Sequence, residues 1–209
     1  MGKYDEAIDA FDKAIKINND SIAWFNKALV LTKQKKYDEA IEAYERVNKL
    51  APSLADAWFG KAFTLGEKGD YKGAIYAYNR TIQIVPSYAP AWIGIGLSYS
   101  LLGIRNESTG FIGMNQQALE AFDNATKLDP TNPETWFGKG LISIQLNNYP
   151  DAIIFLNNAT SLNPKYADAW FMKGIAYSKI GNQKEAEYSF KMAIEYDPNY
   201  SEILQKYQY

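Results

Sequence analysis

Two regularities in the sequence predict an all-α fold of the α-solenoid class, in which short antiparallel helix pairs stack into a superhelix. Five tryptophans, Trp24, Trp58, Trp92, Trp136 and Trp170, recur at steps of 34, 34, 44 and 34 residues, and Pro52, Pro86, Pro130, Pro164 and Pro198 recur in phase with them. Between these markers the apolar residues follow helical spacing. A fixed period in this range belongs to chains whose units each bury an apolar face only by stacking on the next. The 209 residues therefore count repeats rather than globular domains, and one array over 1–209 is expected.

The chain opens with Tyr4, Ala7, Ile8, Phe11, Ala14 and Ile15, an apolar stripe at i, i+3, i+4, i+7. The letters YDEAI at 4–8 return at 37–41, so 1–20 reads as the second helix of a repeat without its partner, either a piece of a longer array or an end that another chain covers. Asp5, Glu6, Asp38 and Glu39 read as favourable charges at helix N-termini rather than catalytic carboxylates. Full repeats follow at 21–54, 55–88, 89–132, 133–166 and 167–200. In 55–88 the first helix carries Trp58, Ala62 and Leu65 on one face and closes near Gly69; the second carries Ala74, Ile75, Tyr78 and Ile82, and Pro86 ends it. Gly103, Gly181, Asn147 and, less comfortably, Lys35 hold the closing position elsewhere. The third repeat is longer by ten residues. Its insertion, between Gly103 and Ala118, carries Gly110 and Gly113, which argue against a continuous helix. Phe111, Ile112 and Met114 in it are candidates for docking a partner or a second copy, or for tucking against their own repeat. Residues 201–209 resemble the start of another first helix, with Leu204 at the tryptophan position and Glu202, Gln205, Lys206 and Gln208 as a polar outer face.

Composition excludes several function classes. Twenty-two Lys and Arg against 24 Asp and Glu give a formal charge of −2, without the basic excess that nucleic acid or an anionic membrane favours. With no cysteine and no histidine, thiolate chemistry and the commonest general base and metal ligand are missing. No catalytic constellation or Gly-rich phosphate loop emerges, so no enzyme activity, cofactor or metal is expected. No apolar run reaches the roughly 18 residues of a membrane span, and the N-terminus is charged where a signal peptide is apolar; a soluble, cytoplasmic protein is expected. Six Asn-x-Ser/Thr triplets begin at Asn19, Asn79, Asn106, Asn124, Asn158 and Asn199, and read as chance matches in an asparagine-rich chain.

The chain resembles the tetratricopeptide repeat family, with its pattern W-x2-L-G-x2-Y, A-x3-F, P. Trp92, Gly96, Tyr99, Ala118, Phe122 and Pro130 match it, as do Trp170, Gly174, Tyr177, Ala186, Phe190 and Pro198. Lys27, Lys61, Lys139 and Lys173 depart from its leucine, Ala28 and Ala62 from its glycine, and Ser143 from its tyrosine. Alanine still permits close helix packing, and lysine is expected to lay its stem on the neighbouring helix with the ammonium in water.

The resemblance implies a right-handed superhelix whose first helices line a concave face that binds a peptide or helix. It places there the residue after each tryptophan and the one four further on: Phe25 with Leu29, Phe59 with Phe63, Ile93 with Leu97, Phe137 with Leu141, and Phe171 with Ile175. These apolar pairs disfavour the lysine, arginine and asparagine clamp by which some members hold acidic C-termini. They either form ligand pockets or pad the interior, and the small residues Gly60, Gly94 and Gly138 are expected to leave room beside the rings. Asp56, Glu134 and Asp168 would make an acidic rim, favouring an apolar, mildly basic peptide or amphipathic helix of a partner protein. The tryptophans read as core. Two other readings stay open: the targeting arm of a larger enzyme, and a self-assembling protein joined head to tail through the exposed N-terminal helix.

Overall fold

The computed structural model describes residues 2–105 and 111–207, and within these the side chains of 104, 105, 111–113 and 207 lie outside the description. The described residues form helices and no strands. In order these are α1 (Gly2–Ile17), α2 (Ser21–Lys33), α3 (Tyr37–Leu50), α4 (Ala55–Lys68), α5 (Tyr71–Ile84), α6 (Ala89–Arg105), α7 (Phe111–Leu128), α8 (Pro133–Gln145), α9 (Tyr149–Leu162), α10 (Ala167–Lys179), α11 (Gln183–Tyr196) and α12 (Asn199–Tyr207). The chain divides into two compact units, Met1–Leu102 and Gly103–Tyr209. Helices pack in pairs, α2 on α3, α4 on α5, α8 on α9 and α10 on α11, and within each unit successive pairs stack, α3 on α4 and α9 on α10. None of the described helices is long and apolar enough to cross a membrane.

One hydrogen bond explains why tryptophan and proline recur six residues apart. The indole Nε1–H of Trp58 donates to the carbonyl of Pro52 at 3.1 Å, and Trp92, Trp136 and Trp170 donate likewise to Pro86, Pro130 and Pro164 at 3.1, 2.9 and 2.8 Å. Proline stops the preceding second helix, and the carbonyl it leaves without a helical partner satisfies the indole. Trp24 has no such proline and donates to Asn19 Oδ1 instead, at 2.7 Å. The tryptophans are thus tied into the joints between pairs.

The turns inside the pairs share one conformation and differ in composition. Gly69, Gly181, Asn147 and Lys35 take φ of 88°, 78°, 59° and 60°. Asp70, Asn148 and Asn182 then cap the second helices by accepting from the N–H of Gly73, Asp151 and Glu185. The α2–α3 turn departs from its sisters twice. Lys35 holds the left-handed position, at about 1 to 2 kcal/mol for a residue with a Cβ, and Lys36 at the N-cap makes no side-chain capping bond, which forgoes about 1 kcal/mol.

The two ends of the insertion differ from the expected loop, and Gly110 between them lies outside the described residues. Gly103 does not end a helix: α6 runs through it to Arg105 and has 17 residues, where other first helices have 13 or 14. Gly113 lies inside α7, which has 18 residues. Part of the insertion therefore lengthens helices, because one internal glycine costs only about 1 kcal/mol against alanine and a longer helix recovers backbone hydrogen bonds. The side chains of Phe111 and Ile112 lie outside the described residues, and Met114 is half-buried. At the other end, Leu204 of α12 is buried in the cluster that contains Phe171 and Phe190.

Candidate functional site

The phenylalanine following four of the five tryptophans packs against aromatic rings. Phe25 meets the edge of Tyr44 with centroids 6.0 Å apart. Phe59 lies 5.6 Å from Tyr78 and 5.1 Å from Tyr88, Phe137 lies 4.9 Å from Tyr166, and Phe171 stacks on Tyr200 at 4.4 Å. Ile93 and Phe171 are buried outright, whereas Phe25, Phe59 and Phe137 are half-buried. Four residues further on exposure rises: Leu29, Phe63 and Leu97 are 39%, 47% and 44% exposed, while Leu141 and Ile175 are half-buried. In the first unit Phe63, Leu97 and Leu101 line an open cavity of about 320 Å³ together with Gly66, Glu67, Tyr71 and Tyr78. In the first unit the structure therefore splits each predicted pair into a more buried inner member and an outer member that faces solvent, whereas in the second unit Leu141 and Ile175 are themselves half-buried.

The room expected beside the rings is occupied. A Cβ on Gly60 would come within 2.5 Å of the Tyr44 ring, one on Gly94 within 2.3 Å of Tyr78, and one on Gly138 within 2.4 Å of Phe122. The second-helix aromatic of the preceding pair fills each space, so these glycines serve helix packing, not ligand entry. The absent Cβ lets the helices approach closely enough to bury the ring edge.

The acidic residues at the first-helix starts are also engaged. The Tyr88 hydroxyl donates to Asp56 at 2.8 Å, and that of Tyr200 donates to Asp168. Burial, then the Asp56 carboxylate, pushes the Tyr88 phenol up to about 12; Tyr200 is raised in the same way, and Tyr166 by burial and by the charges of Asp168 and Glu134. Each of the two aspartates thus faces a tyrosine 32 residues downstream, which clips one pair to the next, and its remaining lone pairs stay exposed to solvent.

The lysines three residues after the tryptophans do more than point their ammonium groups into water. Lys27, Lys61 and Lys139 pair with Asp12, Glu45 and Asp123 of the preceding helix at 2.5, 2.8 and 2.6 Å. They also stand over Trp24, Trp58 and Trp136 at 5.5, 6.0 and 5.2 Å from the ring centroids. Lys173 sits 4.3 Å over Trp170 and is buried, but the position equivalent to Glu45 and Asp123 is Asn157. Burial lowers its pKa, and the charge of Glu185 partly opposes this. The signal for these pairs was present in the sequence as an acid 15 or 16 residues before each of three lysines.

Comparison with known proteins places these features. Sequence models described as tetratricopeptide repeat match residues 1–55, 113–170 and 167–200, together well over half of the chain. No curated protein sequence matches it. Among solved structures, YrrB, described as a tetratricopeptide repeat protein with an unusual peptide-binding site, is 22% identical, with 96% of this chain and 98% of YrrB covered and a TM-score of 0.71. TTC0263, a tetratricopeptide repeat protein of Thermus thermophilus, is 21% identical over 89% of this chain and 100% of its own, with a TM-score of 0.71. MamA is 22% identical over 90% of this chain and 96% of its own, also with a TM-score of 0.71. At these identities the likeness concerns the fold. The repeated tryptophan, small-residue, aromatic and proline positions, their packing and the matching sequence models agree: the chain belongs to the tetratricopeptide repeat family.

Proposed function

We propose that this protein is a non-catalytic scaffold that binds a segment of a partner protein along the outer apolar residues of its first helices. The observation that carries the reading is the row of solvent-facing side chains at one position in successive helices, Leu29, Phe63 and Leu97, with Leu101 beside them. Burying such a side chain under a ligand contributes about 1.5 to 3 kcal/mol, so two or three sites support micromolar binding once association costs are met. Leu141 and Ile175 hold the same position in the second unit. Glu67 on the cavity wall and the exposed oxygens of Asp56, Glu134 and Asp168 favour a ligand with basic residues among apolar ones. A peptide-binding site in YrrB, of like fold, is in keeping with this reading.

The inner residues are poor probes, because Phe59 and Phe137 hold the joints and their truncation would disturb folding. Selection of peptides from a random displayed library on the full chain tests the reading better. The selected peptides should combine apolar with Lys or Arg residues, and Phe63→Ala with Leu97→Ala should weaken them about tenfold or more. Tyr76→Ala, at another exposed aromatic (62% exposed), should leave binding unchanged. Peptides that bind the double variant as well as the wild type would overturn the proposal.

A further inference from the structure

In three of the four helix pairs that lie wholly within one unit, the second helix sets an aromatic ring against the tryptophan of the first. Tyr76 meets Trp58 with centroids 6.4 Å apart and planes at 73°, Tyr188 meets Trp170 at 5.9 Å and 85°, and Phe155 lies 6.2 Å from Trp136. In the fourth pair, α2 with α3, the residue that corresponds to Tyr76 and Tyr188 is Glu42. No ring covers Trp24 there, and a cavity of about 200 Å³ opens beside it. Its buried floor is Leu31 and Ala43, half-buried Trp24 forms a wall, and Glu39, Glu42 and Arg46 stand exposed at the rim. An apolar cavity of about 150 Å³ accepts a benzene ring, so this one has room for a single aromatic side chain. Lys27 does not take the place: it pairs with Asp12 and stands 5.5 Å over Trp24. In the other pairs such a lysine shares its tryptophan with the ring, Lys61 with Tyr76, Lys139 with Phe155 and Lys173 with Tyr188.

The rim selects among side chains. Glu39 and Glu42, three residues apart, share one face of α3, and neither has a partner among the described hydrogen bonds and salt bridges. A phenol entering beside Trp24 brings these carboxylates a donor, as Tyr88 and Tyr200 do at Asp56 and Asp168; phenylalanine and leucine bring none. An acidic side chain would meet two carboxylates against Arg46, and a lysine or arginine would leave the apolar floor bare and approach Lys27 over the same indole. This chain's exposed tyrosines among the described residues are placed elsewhere: Tyr76 and Tyr188 are seated on Trp58 and Trp170, and Tyr4 lines a separate cavity. We infer that the cavity over Trp24, between α2 and α3, binds a tyrosine side chain of a partner protein. It shares no residue with the apolar row of Leu29, Phe63 and Leu97 and does not depend on that reading.

The experiment follows the indole N–H signals of the isotopically labelled full chain by NMR as N-acetyl-tyrosinamide is added. The Trp24 signal, identified by its loss in Trp24→Phe, should move and saturate with a Kd of about 1 mM, while those of Trp58, Trp136 and Trp170, which already carry a ring, stay in place. N-acetyl-phenylalaninamide should bind about threefold more weakly for want of the hydroxyl, and N-acetyl-leucinamide more weakly still. Glu39→Ala with Glu42→Ala should bring the tyrosine and phenylalanine amides to equal affinity. Glu42→Tyr supplies the missing ring from within, so it should unfold at the same or a higher urea concentration and bind the probe about tenfold more weakly or worse. Phe63→Ala with Leu97→Ala should bind it as the wild type does. A Trp24 signal that does not move overturns the inference. So does a phenylalanine amide that binds the wild type as tightly as the tyrosine amide, or a Glu42→Tyr chain that binds as the wild type does. A Trp24 signal that moves on dilution of the protein alone would assign the ring to a second copy and overturn the partner.

Discussion

A buried aromatic edge needs a matching gap, and at three joints of this chain the gap is a missing Cβ. Tyr44, Tyr78 and Phe122 press against Gly60, Gly94 and Gly138. At the next joint the corresponding residue is the smaller Leu156, and the glycine is replaced by Met172, which packs against the cluster around Leu156. Large meets small, and small meets large. Gly94→Ala should therefore cost about 1 to 3 kcal/mol, read as a lowered urea midpoint, because its Cβ would fall 2.3 Å from a ring that is buried and cannot swing away. Adding Tyr78→Leu should recover part of that loss, an interaction energy above about 0.5 kcal/mol. Gly66→Ala serves as the control: nothing lies within 4 Å of its Cβ, so it should stabilise by about 0.5 to 1 kcal/mol. Gly60 and its equivalents were visible in the sequence as small residues. Their role was not, since a one-dimensional pattern does not say whether a gap is filled by the neighbouring repeat or by a ligand.

Helices are joined by two sets of polar clips, and these differ in how far they could be read in advance. The tryptophan-to-proline bond lies within six residues, and its regularity revealed the repeat boundaries before its chemistry was known. The lysine clips span 15 or 16 residues and cross between pairs, so recognising them requires knowing which helices are neighbours. At α9 and α10 the clip lacks its acid, because Asn157 stands where Glu45 and Asp123 stand earlier. Asn157→Asp should give Lys173 a partner and raise stability by about 0.5 to 1 kcal/mol, a modest gain because the carboxylates of the sister pairs are 40 to 50% exposed. Urea unfolding at low and high salt would test this, with the gain shrinking as salt screens the pair. The ends of the insertion are helical for an element-scale reason. Gly103 and Gly113 are glycines of the kind that ends helices, yet continuing the backbone ladder outweighs the modest penalty of one glycine within it.

Tyrosines are distributed through both units, and their phenols give the whole molecule a dependence on alkaline pH. Burial raises Tyr44, Tyr78 and Tyr88 from the ordinary 10.0 to about 12. In the unfolded chain these groups release their protons near pH 10, whereas in the native state they hold them until about pH 12, so the native state binds more protons across that interval and stability falls as pH rises through it. The urea midpoint should therefore be flat towards neutrality and decline between about pH 10 and 12. Tyr44→Phe should make the decline shallower; an equal slope would mean that this phenol does not govern it. The residue-to-residue fit at the joints also bears on inheritance. A second copy of 55–88 placed after the first would set Tyr78 against a new Gly60, as Tyr44 already sits, and would join without a gap. A second copy of 133–166 would set Leu156 against a new Gly138, where the other joints have a ring, and would leave a void. Tandem gene duplication can thus lengthen this array through some of its segments at no structural loss, while others come as matched neighbours and have to be duplicated together.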